Sequence, residues 1–289
     1  MPGLAHRPSL VALLLVGLVF PATAQAAVEI DPSVELAFER LYNFDFPAAH
    51  AALDAHQAQQ PDDPLGFGVR GAIHLFYELD RLEILKTEFF EDDDKVVGKG
   101  KKDLELDPQI RLQLLAALEQ ADLLATERLQ RDPRDATALF ALCLKEGLLT
   151  DYKVLVERRG LLAFRNARAA GRHAQRLIEL EPQFYDAYLA GGVNEYLIGN
   201  LPFFIRWFIR IEGVEGSKEQ AFAKLEIVAD KGRYLGPFAK ILMSIMALRE
   251  KQPERAQALL AELTRDYPGN QLLRSELERV TESMTTAER

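Results

Sequence analysis

Along most of this chain apolar residues recur at the i, i+3, i+4 spacing of a helix face rather than at every second position. The stretches "IRLQLLAALEQADLLATERL" (110–129) and "ERAQALLAELTRDY" (254–267) are clear cases. They are rich in Ala, Leu, Glu, Gln and Arg, all strong helix formers. Alternation of strand length is scarce. The pattern predicts an all-α fold.

A second regularity lies on top of the first. Pro61, Pro133, Pro182 and Pro268 each close a helix-like run, as a residue without an N–H and with a ring that clashes with the preceding turn should. Twelve residues before each stands an alanine: Ala49, Ala121, Ala170 and Ala256. Eight before each stands Leu53, Ala125, Ala174 or Leu260. Positions four apart share a helix face, and a small residue there lets a neighbouring helix come close. Six residues after three of the prolines come Phe67, Leu139 and Tyr188, and ten after come the small Gly71, Cys143 and Gly192. A large residue followed four later by a small one makes a knob beside a notch. Each proline therefore reads as a hinge between one helix and the next.

This arrangement resembles the tetratricopeptide repeat (TPR) family, best at "DAYLAGGVNEYLIGN" (186–200) and "ERAQALLAELTRDYPGN" (254–270). The intervals between the prolines, 72, 49 and 86 residues, are not multiples of 34, so the resemblance is to a degenerate array with extra segments between repeats. "YNFDFPAAHAALD" and "GNLPFFIRWFIRIEGVEGSKEQAFAKL" also look like a bacterial TPR family distantly similar to eukaryotic inclusion-body-clearance TPR proteins. The resemblance implies a helical-hairpin solenoid, an α-α superhelix. It implies a concave groove for a protein or peptide partner, lined by Asp186, Leu189, Val193 and Tyr196 in the best repeat. The counterpart positions after Pro133 are Thr137, Phe140 and Leu144. It brings no catalytic residues.

The segment from Pro202 to Ile211 is apolar over about two-thirds of its girth, with Arg206 and Arg210 on one edge. At about 15 Å it is too short to span a bilayer. The expected reading is a helix packed between successive repeats. Two others stay open: a helix lying on a membrane surface, and a wall of an apolar pocket. In the pocket Phe204, Trp207 and Phe208 hold the ligand body while the arginines hold a carboxylate or phosphate. The pocket reading carries the alternative function, a periplasmic small-molecule or lipid-binding component serving a transporter.

Composition narrows the partner and the compartment. The formal net charge of −9 and the lack of a basic stripe argue against nucleic acid. Residues 1–26 have the layout of a signal peptide: His6 and Arg7, an apolar run from Leu10 to Phe20, then Ala24-Gln25-Ala26. The expectation is export to the periplasm or outside the cell, with one helical-repeat domain over 27–289. A single cysteine, Cys143, permits no internal disulfide. The histidines of the expected mature chain fall in no ligand spacing, so no metal or cofactor is expected. "FFEDDDKVVGKGKKDLELD" (89–107) reads as a solvated charged loop, since its carboxylates lack the alternate spacing of a Ca²⁺ loop. No motif of nucleophilic or acid–base catalysis is present, and the expected function is non-catalytic.

Overall fold

The computed structural model describes residues 32–86, 105–199 and 217–287. Among them are eleven α-helices and no strand. They are α1 (Pro32–Tyr42), α2 (Phe46–Gln59), α3 (Pro64–Arg81), α4 (Pro108–Arg131), α5 (Ala136–Asp151), α6 (Gly160–Leu180), α7 (Tyr188–Gly199), α8 (Lys218–Lys231), α9 (Gly236–Arg249), α10 (Pro253–Asp266) and α11 (Gln271–Ala287). A π-helical turn, Tyr152–Val156, follows α5, and a 3₁₀ turn, Tyr185–Ala187, precedes α7.

The helices pair in chain order. The five most extensive contacts are α1 with α2, α3 with α4, α5 with α6, α7 with α8, and α9 with α10. Each pair then touches the next through α2–α3, α4–α5, α6–α7 and α8–α9, and α11 covers α10. First helices also meet, α1 with α3 and α3 with α5.

The proline register marks these pairs. Pro61, Pro133, Pro182 and Pro268 each lie two residues beyond the second helix of a pair. All eight register residues before them are buried, and Ala49, Ala121, Ala125, Ala256 and Leu53 are completely so. The notches are filled as their size requires. A Cβ built on Gly71 would stand 2.4 Å from Leu118 Cδ2, and one on Gly192 would stand 3.0 Å from Leu225 Cγ and 3.2 Å from the Ala221 carbonyl. Two residues after three of the prolines stands a helix cap. Asp63 accepts from Leu65 and Gly66, Asp135 from Ala138, and Asn270 from Leu273.

The irregular intervals have a structural cause. Two pairs are interrupted between their own helices, by residues 82–107 and 200–217, which lengthens the spacing without adding a pair. The 86-residue interval holds two pairs, because α8 carries a fifth copy of the register in which Ala221 and Leu225 are followed by Arg233 instead of proline.

The chain also turns back on itself. Asn270 Nδ2 donates to the Tyr42 carbonyl (2.9 Å), Gly269 N donates to Asn43 Oδ1 (3.0 Å), and Arg233 Nε meets Glu35 Oε1 (2.6 Å). An aromatic column crosses the interior. Phe38 stacks on Tyr234 (5.1 Å), Tyr234 on Phe140 (5.8 Å), and Phe140 meets Phe184 (4.8 Å). It ties α1, α5, the entry to α7 and the α8–α9 turn into one core.

No helix among the described residues is long and apolar enough to cross a membrane. The segment 202–211 lies outside the described residues, as does the loop 89–107 except for its last three residues. Of those, Glu105 offers its carbonyl to Arg81, and Asp107 donates its N–H to Glu78 (3.1 Å) before capping α4.

Candidate functional site

α1 carries Glu35, Phe38, Glu39 and Tyr42 at three- and four-residue spacing, hence on one face. That face lies against the short turn joining α8 to α9, and the turn is held from two sides. Asp186 is buried, and its carboxylate accepts three backbone N–H groups: Arg233 (2.9 Å), Tyr234 (2.9 Å) and Leu235 (2.7 Å). The Tyr42 hydroxyl donates to the Tyr234 carbonyl (2.8 Å). Gly232 opens the turn where a Cβ would stand 2.5 Å from the Val228 carbonyl and 3.1 Å from Asp186 Oδ1, so only glycine allows this approach.

Between α1, this turn, α9 and α10 lies a cleft of about 380 Å³. This is within the size range of small-ligand and side-chain sites. Its floor is aromatic: Phe38 and Tyr234 stack, and Tyr42 meets Tyr267 at 5.4 Å. The walls are charged. Arg233 stands 5.4 Å from the Tyr234 ring centroid while paired to Glu35, and Lys240 is paired to Glu262 (2.8 Å). Glu39 of α1 and Asp266 of α10 also line the cleft, near Tyr267. Burial first, and then these two carboxylates, push the Tyr267 hydroxyl up to about 12. Burial likewise pushes Tyr234 up to about 12. These phenols stay protonated at any physiological pH.

The residues expected to line a groove lie elsewhere, and none borders this cleft. Asp186 is the buried anchor just described. Phe140 is 1 % exposed, enclosed by Phe184 and Tyr234, so neither offers an open face to a ligand as folded. Tyr196 is buried edge-on to Phe222. Leu144, Leu189 and Val193 are partly buried against the core, and Thr137 is partly buried at the start of α5. Phe204, Arg206, Trp207, Phe208 and Arg210 lie outside the described residues. The cleft residues had a signal in the sequence, the two acids and two aromatics on one face of α1. The wall formed by Arg233 and Tyr234 arrives from more than 190 residues away, and local spacing carries no trace of it.

Other unusual groups do not converge on a reaction centre. Burial alone pushes the Asp151 carboxyl up to about 7. Burial also raises the neighbouring Tyr152 hydroxyl, with Arg111 working against it and Glu157 with it. Arg158, after the π-helical turn, has left-handed backbone (φ 57°) and a guanidinium whose Nε and Nη2 are buried without a hydrogen-bond partner among the described residues. Cys143 is buried, and its thiol is pushed up to about 12, far from a reactive thiolate. His56 is buried against Asp63 (2.7 Å), and His74, its ring tilted against His50 at 4.7 Å, is pushed down to about 4 by burial and by His50 and Arg70. Among the described residues no three His, Cys, Asp or Glu side chains stand together as metal ligands. No known protein family, curated protein or solved structure matches the chain.

Proposed function

We propose that this chain is a non-catalytic binding protein, an exported array of degenerate TPR-like helical hairpins that holds a protein or peptide partner. The observation that carries the reading is the cleft beside α1. Its floor is immobilised before any ligand arrives, by Asp186 on one side and Tyr42 on the other. A preorganised site loses little conformational freedom on binding. Its two cations are each paired to a carboxylate and its phenols are fully protonated, a lining suited to recognition. Five copies of one Ala-and-Leu/Ala register on five successive helix pairs support the repeat reading. On this reading the cleft, rather than the expected groove at Asp186, Phe140 and Tyr196, is the binding surface. Export rests on the layout of residues 1–26 alone.

A photoreactive amino acid placed at Glu39, with a second at Glu119 on the exposed face of α4, tests this. The probe is a random-sequence peptide library. The expected result is peptide crosslinked at position 39 and not at 119. Equal labelling at both positions would remove the cleft as the binding surface. Native mass spectrometry of gently purified protein tests the alternative, a small-molecule carrier, which predicts a discrete added mass that disappears on denaturation.

A further inference from the structure

α6 carries a local charge that the composition of the chain conceals. From Arg158 to Ile178 there are six arginines and no acidic residue, in a chain whose formal net charge is −9. This run corrects the expectation that the chain lacks a basic stripe. Arg165, Arg168, Arg172 and Arg176 follow at three- and four-residue spacing on the exposed face of α6, and Arg159 is exposed just before it. Arg159, Arg165 and Arg172 have no ion pair among the described residues. The nearest acids are already engaged: Glu157 meets Arg111 (3.5 Å), and Glu146 is held by Lys145 and Asn166. α4 extends this face. Arg111, in its first turn, reaches Glu157 just before α6, and Arg176, near the end of α6, donates to the Pro133 carbonyl just beyond α4. The two helices therefore lie side by side with their starts together. No acid stands between Asp107 and Glu119 either. At these two starts three large apolar side chains are exposed: Leu112 (63 %), Leu162 (57 %) and Phe164 (42 %). None of these residues lines the cleft.

Arginines and exposed apolar side chains ask different things of a partner. A nucleic acid would neutralise the arginines, but between Arg158 and Ile178 it would find a single aromatic ring to stack on, Phe164. A bilayer with anionic headgroups meets both demands at once. Its phosphates lie at the depth of the guanidinium groups, and its acyl chains lie just beneath, within reach of leucine and phenylalanine tips. We infer that the starts of α4 and α6 dock the protein on an anionic lipid surface. The contact is peripheral, because α6 already buries Ala163, Ala170, Ala174 and Leu177 in the protein and has only its exposed side chains to offer. The rest of the chain is acidic, so this face alone is drawn to the bilayer and the orientation of the docked molecule is set. The inference stands apart from the peptide cleft, and either can fail without the other.

The test floats the full chain with vesicles of phosphatidylcholine and with vesicles of an equal mixture of phosphatidylcholine and phosphatidylglycerol. Binding should favour the mixture and weaken as salt is added. An Arg165→Gln, Arg172→Gln double variant alters two exposed side chains, so it should keep the melting temperature and weaken binding by about tenfold or more. Arg265→Gln with Arg274→Gln removes the same charge from exposed positions elsewhere and should leave binding unchanged. A polarity-sensitive dye gives a local readout that residues 1–26 do not contribute to. On Leu112→Cys its emission should move to the blue with the mixed vesicles, and on Tyr77→Cys it should not; Cys143 is buried and stays unlabelled. Equal binding to both kinds of vesicle would overturn the inference, as would equal effects of the two arginine pairs or an unmoved dye at position 112. Polyglutamate or a single-stranded oligonucleotide that binds through Arg165 and Arg172 while mixed vesicles do not would give the face to another partner and overturn the lipid assignment.

Discussion

Arg233 stands where four other copies of the register have proline, and its backbone N–H supplies the physical reason. That N–H donates to Asp186 Oδ2, and a proline there would have nothing to donate. Asp186 in turn is free to reach across because Phe184, two residues after Pro182, has no side chain with which to cap a helix. The segment begins instead as the 3₁₀ turn Tyr185–Ala187. Burial outweighs the three N–H donors in setting the Asp186 pKa, which is raised, so the acceptor atoms matter more than the charge. Asp186→Ala orphans three backbone donors, and urea unfolding should show a loss of about 3 kcal/mol or more. Asp186→Asn keeps one acceptor oxygen and should recover part of it; equal losses from both variants would refute the acceptor argument. Asp151 gives a pH prediction. Its folded pKa of about 7 lies above the roughly 3.9 of an unfolded aspartate, so the folded state binds more protons between those values. Its contribution is fully present below about pH 4 and declines as pH rises through 7. In Asp151→Asn the urea midpoint should fall less between pH 5 and pH 8 than in the parent chain, and a parallel fall would place the titration elsewhere.

At the scale of the element, the strongest sequence signals were those fixed by local chain chemistry. Helices were legible from their apolar period, their ends from proline, and their contact faces from alanine and leucine four apart. Gly71 and Gly192 were legible as notches, because a glycine four residues after a large side chain weakens a helix unless a neighbour needs the space. Capping had a local signal too, since Asp63, Asp135 and Asn270 all fall two residues after a proline. The pairing of α7 with α8 was not legible, because its marker proline is replaced by Arg233 and the reason lies 47 residues away at Asp186. Gly192 tests the pairing directly. Its Cβ position is closed by Leu225, which has some freedom to move, and by the Ala221 carbonyl, which has little. Gly192→Leu should destabilise by about 1–3 kcal/mol through overpacking, and Gly192→Ala by less. An unchanged melting temperature in the leucine variant would mean that α7 and α8 do not meet at this notch.

At the scale of the molecule, closure separates this chain from an open array of repeats. In an open array each unit touches only its neighbours, and the terminal units fray first. Here α1 is held by groups from the far end of the chain: Tyr234 under Phe38, Tyr267 against Tyr42, and Asn270 on the Tyr42 carbonyl. The sequence could not disclose this, since Asn270 and Tyr42 are 228 residues apart and no local spacing links them. The same closure builds the cleft, one wall from the start of the chain and the others from its last third. Stability and the candidate site are therefore coupled, and hydrogen exchange can measure the coupling. Amides of α1 should exchange as slowly as those of α3 and α5, at the rate of global unfolding, in spite of being first in the array. Asn270→Ala removes the bond to Tyr42 and the cap of α11 together, and should speed exchange in α1 as well as in α11. Tyr42→Phe leaves that cap intact and releases only the Tyr234 carbonyl, so it should cost about 1 kcal/mol and speed exchange in α1 and the turn after Gly232. If α1 exchanges early in the parent chain and neither variant alters its rate, the clasp contributes nothing to stability, and the cleft is a gap between units that move independently.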